Sequence, residues 1–148
     1  MQDPNLEQEL DSLQKIARAS LSASKSIQFP RLLGYVKHAE NRHIIGLLRE
    51  WIPSDLHRLR DIDVPTIPRE RREKWAAQIR GTVNQLHEIG VVWGNGKINN
   101  VVIGNGDNAW LIDFEGGWTE GWVDEELADT MEGDEQAVRN IAKFLGIN

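Results

Sequence analysis

This chain has no cysteine. That excludes a disulfide framework and any cysteine-ligated metal site. Histidine is scarce too: His38, His43, His57 and His87 are scattered without the spacing of a ligand set. No apolar run approaches membrane-spanning length, and no signal-like apolar segment opens the chain. Excess positive charge is also missing. The net charge is −6, which argues against nucleic acid as a partner. Together these absences predict a soluble, cytoplasmic protein with neither membrane nor nucleic acid among its partners. No internal repeat and no low-complexity linker interrupts the 148 residues, so they predict one domain, 1–148. Tyrosine occurs once, whereas tryptophan occurs six times. Trp joins a large apolar body to one donor, so most of the six are expected in the core or in pocket walls.

What is present is organised around Val91-Val92-Trp93-Gly94-Asn95-Gly96-Lys97-Ile98-Asn99-Asn100-Val101-Val102-Ile103, with Trp110-Leu111-Ile112-Asp113-Phe114-Glu115-Gly116 close behind. Between them lies Gly104-Asn105-Gly106-Asp107, a tight-turn sequence, because Gly and Asn tolerate positive φ. The pattern predicts paired strands at Val101–Ile103 and Ala109–Ile112. The polar turn and Asp113 then share one end of the hairpin, which brings Asn95, Lys97, Asn100 and Asp113 together. A carboxylate, an amide oxygen and an ammonium converging on one spot suit Mg²⁺ and phosphate.

Asn95-x-Lys97-x-x-Asn100 followed by Asp113-Phe114-Glu115 resembles the catalytic loop and metal motif of protein kinases, D-x-K-x-x-N and D-F-G. The closest likeness is to the small, divergent kinase-like proteins of fungi. The resemblance implies Asn100 and Asp113 as metal ligands, Lys97 as a catalytic and phosphate-binding residue, and Asn95 at the position of the catalytic base. An amide cannot take up a substrate proton as a carboxylate does. Glu115 replaces the glycine of the metal motif and loses its backbone freedom. Asn95 precedes Gly96, a pair prone to deamidation, which would create a carboxylate in place.

The rest of the chain supports an α+β reading. Asp3-Pro4 opens a helix, whose apolar stripe is Leu6, Leu10, Leu13, Ala17 and Leu21, with Ile16 at its edge. Strands follow at Phe29–Val36 and within Arg42–Ile52. A long helix begins near Arg69, with Trp75, Ala76, Ile79, Val83 and Leu86 as its core stripe and Gly90 as its C-cap. The arginines at its start interleave with glutamates and make no nucleic-acid patch. A last helix, capped at Gly133-Asp134, carries Ala137, Val138, Ile141, Phe144 and Leu145.

The resemblance casts these pieces as a protein-kinase-like fold reduced to one helix and two small-lobe strands (1–52) and a mostly helical large-lobe remnant with the catalytic-loop hairpin (53–148). The inter-lobe hinge falls at Glu50, Trp51 and Ile52, whose backbone would bind the adenine of ATP, and Pro53-Ser54-Asp55-Leu56 begins a short helix. Glu9 stands where the family's helix carries a glutamate paired to a strand lysine. That strand is missing, so Glu9 reads as an exposed charge on a helix face. The phosphate-covering Gly-rich loop is missing as well. The reading is a pseudokinase-type binding or regulatory module, with Mg²⁺ and ATP as weak ligands. The alternatives are an enzyme using the cleft as a Trp-lined small-molecule pocket, and a kinase completed by a partner chain. The reduced small lobe leaves an apolar face and a strand edge uncovered, which predicts a homodimer or a protein partner.

Overall fold

The computed structural model describes residues 3–22, 28–52, 58–104, 106–112 and 117–147. These residues form a mixed α+β structure of three helices and two small antiparallel sheets. In chain order the elements are α1 (Pro4–Ser22), β1 (Leu32–Lys37), β2 (Ile44–Arg49), α2 (Arg69–Glu88), β3 (Val101–Gly104), β4 (Asn108–Leu111) and α3 (Met131–Phe144). Short 3-10 turns at Leu59–Asp61, Val64–Thr66, Ile98–Asn100 and Glu125–Leu127 join them. The expected helix at Pro53–Leu56 lies outside the described residues.

β3 and β4 pair antiparallel from Val101↔Leu111 to Gly104↔Asn108. The expected hairpin is therefore present, one residue off at each strand. Gly106 and Asp107 make the turn at φ 82° and 61°, and the Asp107 amide donates to the Gly104 carbonyl at 3.1 Å. Helix α2 grips this hairpin from one side. Gln78 supplies both halves of its amide: Nε2 donates to Asn108 Oδ1 at 2.8 Å and Oε1 accepts from the Ala109 amide at 2.9 Å. The Trp75 indole donates to the Asp107 carbonyl at 3.1 Å. Burial of Trp75, Ile79, Val83 and Leu86 places the expected stripe in the core, at about 1.5–3 kcal/mol per large apolar side chain. Gly90, at φ 77°, receives the chain beyond the helix end, its amide bonded to the His87 carbonyl at 3.0 Å.

Two expectations are corrected, and a third is met for most residues but not all. First, the face of α1 that turns inward is Glu9, Ser12, Leu13 and Ile16, while Ala17 is exposed and Leu6 and Leu10 are half-buried. Glu9 is only 2% exposed and pairs with Arg49 of β2, so it is not a solvated charge. The ion pair rotates α1 away from its purely apolar stripe. Second, α3 begins at Met131, and its cap is Thr130, whose Oγ1 accepts from the Gly133 amide at 3.0 Å. Gly133 is wedged under the preceding turn, where a Cβ would lie 2.2 Å from the Leu127 carbonyl oxygen. Third, the tryptophans divide. Trp75 and Trp93 are fully buried, whereas Trp118 is 41% and Trp51 83% exposed.

β1 and β2 form their own two-stranded sheet, with an extra residue in β1 at Leu33 and an extra residue in β2 at Ile45. Helix α1 lies against it. Leu32 and Leu47 turn to the core, and Leu33, Ile45 and Leu48 are 55–65% exposed.

The hairpin turn supplies a pH-dependent contact. Arg71 clasps Asp107 with two bonds, Nε to Oδ2 at 3.0 Å and Nη2 to Oδ1 at 2.7 Å. The guanidinium holds the carboxyl of Asp107 below its ordinary value of 3.8. A lowered value means that the contribution is complete above the ordinary carboxylate range and lost as pH falls through the folded value. Asp107→Asn keeps a residue suited to positive φ. Near neutral pH it is expected to cost about 1 kcal/mol, discounted for partial exposure. Urea melts should show that gap closing as the pH drops below 4.

Candidate functional site

The polar loop between α2 and β3 is held by bonds to its backbone. Helix α2 hands it over with the Val91 amide bonded to the Leu86 carbonyl at 2.8 Å. Trp93 then enters the core and donates its indole N–H to the Ile112 carbonyl at 2.9 Å. Asp134, from the first turn of α3, is fully buried beneath the loop. Its Oδ2 accepts from the Trp93 amide at 2.8 Å and its Oδ1 from the Gly94 amide at 2.9 Å. The His87 Nε2 is 2.8 Å from Oδ2 and completes the set. Gly96 packs so closely that a Cβ there would meet Ala137 at 2.6 Å and the Trp93 ring at 2.9 Å. Only glycine fits.

Burial pushes the Asp134 carboxyl above its ordinary value, against the opposing pull of His87 and the Gly94 and Trp93 amides. A raised acid stabilises the fold while protonated, and that contribution is lost as pH rises through the raised value. Well above that range the carboxylate serves as a three-fold acceptor.

The structure brings together three of the four residues expected at this hairpin end. Asn95 Oδ1 accepts from the Thr119 hydroxyl at 2.8 Å. Lys97 Nζ donates to the same Thr119 oxygen at 3.0 Å. Asn100, 5% exposed, donates its side-chain amide to the Asn95 carbonyl at 2.8 Å, and its own carbonyl accepts from the Ile112 amide at 3.0 Å. That bond uses the nitrogen of the Asn100 amide, which leaves its oxygen as the hard donor. The fourth residue, Asp113, follows Ile112 in the chain and lies outside the described residues. Among the described residues, no three His, Asp or Glu side chains gather as a metal cage.

The segment expected at the hinge is placed between the sheets. Glu50 is tied back to Arg31: its amide donates to the Arg31 carbonyl at 2.8 Å, and its carboxylate lies 3.3 Å from the guanidinium. Trp51 points to solvent, and Ile52 packs over Gly104 of β3.

Sequence reasoning missed Thr119, His87 and the role of Asp134. Thr119 sits in a Gly/Trp-rich loop with no periodic signal. By its place at the start of α3 Asp134 reads as a helix cap, but Thr130, three residues before Gly133, has the cap spacing. Compared with protein-family models the chain matches none, and no curated protein is detectably similar to it.

Asp134→Asn removes one acceptor and faces an NH₂ group toward N–H donors. The expected cost is about 2–4 kcal/mol, through buried donors left unpaired. Hydrogen exchange should then quicken first at the amides of Trp93 and Gly94. Unaltered exchange there would refute the assignment of Asp134 as the loop's anchor.

Proposed function

We propose that this chain is a kinase-like module with a degenerate catalytic loop, composed of a reduced small lobe (1–52) and a large-lobe remnant (53–148), and that it acts by binding and regulation rather than by phosphoryl transfer. The observation that carries the reading is Asn95. It occupies the place of the catalytic base in the motif, and it is an amide whose oxygen is already committed to Thr119. Phosphoryl transfer rests on positioning and charge stabilisation, and Lys97 is likewise engaged with Thr119. On the other side, Glu9 of α1 pairs with Arg49 of β2. Asn100 and Asp113 are the groups that would hold Mg²⁺, and the backbone of Glu50, Trp51 and Ile52, with Lys97, would meet a weakly bound ATP. The cation would supply charge neutralisation for the phosphates.

Incubation with labelled ATP and Mg²⁺ is expected to give no phosphate transfer to generic protein substrates, and Asn95→Asp alone is expected not to restore it. Stoichiometric autophosphorylation abolished by Asp113→Ala would overturn the reading. A thermal-shift titration with ATP, ADP and Mg²⁺ measures binding separately: occupancy at 100 times Kd adds roughly 2.7 kcal/mol.

The binding surface in this reading is the β1–β2 sheet, where Leu33, Ile45 and Leu48 stand 55–65% exposed. Contiguous exposed apolar groups mark interfaces, and a two-stranded sheet alone is marginal. A second copy, or another protein, covers it. Light scattering at micromolar concentration is expected to show a dimer that Leu33→Lys or Ile45→Lys dissociates into a folded monomer. A monomer indifferent to both changes would remove the claim.

A further inference from the structure

The chain contains the dipeptide Asn-Gly twice, at Asn95-Gly96 and Asn105-Gly106. The chemistry of this pair is intramolecular. The glycine amide nitrogen attacks Cγ of the asparagine, a N–Cγ bond forms, and the Cγ–Nδ2 bond breaks with release of ammonia. Water then opens the cyclic imide at either carbonyl to give aspartate or isoaspartate. No oxidant or cofactor takes part. At Asn95 the aspartate would stand beside Thr119 and Lys97, at the very position where the motif lacks its carboxylate.

We propose that the folded loop blocks this reaction, so that Asn95 remains an amide and its conversion is gated by opening of the loop. Three contacts oppose ring closure. The side chain must swing its Cγ onto the Gly96 nitrogen, yet its oxygen is held by the Thr119 hydroxyl at 2.8 Å. The peptide between Asn95 and Gly96 must turn, yet the Asn95 carbonyl is held by the Asn100 amide at 2.8 Å. Gly96 itself has no room to shift, because its surroundings are close enough that a Cβ would lie 2.6 Å from Ala137 and 2.9 Å from the Trp93 ring. These groups come from four separate parts of the chain, so freeing Asn95 requires the loop to detach from both α3 and the Thr119 segment. The inference gives the proposed function a physical safeguard: the missing base is not regenerated by spontaneous chemistry while the loop is folded. Its test reads mass and linkage, so it stands or fails apart from any kinase assay.

The experiment ages the full chain at mildly alkaline pH, natively and in unfolding urea, and follows both Asn-Gly pairs by peptide mapping with isoaspartate detection. In urea, Asn95 and Asn105 are expected to convert at similar rates, which calibrates the chemistry. In the native protein Asn95 is expected to convert at least about tenfold more slowly than in urea, since an opening that costs about 1.4 kcal/mol already leaves only a tenth of the loops exposed. Native conversion of Asn95 at the urea rate overturns the proposal. Thr119→Val, which keeps the shape and removes the hydroxyl, is expected to speed native conversion at Asn95 several-fold and to leave Asn105 unchanged. An unaltered Asn95 rate in a folded Thr119→Val protein overturns the role given to Thr119. If that variant does not fold, the wild-type ratio between native and urea rates still decides.

Discussion

A buried carboxylate that accepts from two consecutive backbone amides is the interaction on which the rest of this structure depends. Asp134 has no solvent exposure, so its charge is costly unless fully bonded. The Trp93 and Gly94 amides and His87 offset part of that cost. The partners come from separate stages of the chain: His87 from the end of α2, the two amides from the loop, and Asp134 itself from the first turn of α3. One side chain therefore determines where the loop leaves α2 and how α3 lies across it. The cap at Thr130 serves the same end, since it releases Asp134 from the helix terminus.

Helix α3 also governs the other wall of the site. Asn140 donates to the Trp122 carbonyl at 2.9 Å, and Gln136 accepts from the Asp124 amide at 2.8 Å. These bonds tether the segment that carries Thr119. Thr119 in turn receives Lys97 and donates to Asn95. The polar groups of the loop are thus satisfied within the protein, through a network whose members are partly buried and mutually oriented.

The β1–β2 unit is built on a different principle. Its helix is joined to the sheet by an ion pair, Glu9 with Arg49, and its sheet turns Leu32 and Leu47 to the core while Leu33, Ile45 and Leu48 stand exposed. Removing Arg49 takes one cation from a nearly buried carboxylate, which is costlier than losing a surface bridge. Each strand carries one extra residue, Leu33 in β1 and Ile45 in β2, and bulges of this kind bend strands at sheet edges.

The sequence by itself determined the local elements. Gly and Asn between two apolar runs specified the β3–β4 turn, Trp75, Ile79, Val83 and Leu86 specified the buried face of α2, and Gly90 marked its end, because turn chemistry and helical period act between near neighbours. The meeting of Asn95, Lys97 and Asn100 was legible for the same reason. Tertiary structure decided the rest. Whether Glu9 faces water or core depends on Arg49, 40 residues away. Whether Asp134 caps its own helix or anchors a distant loop depends on donors 40 and 41 residues earlier. Thr119 gains its place only when α3 folds the following segment back on the loop. Buried polar groups choose their partners by proximity in space, and no local period or spacing along the chain encodes that choice.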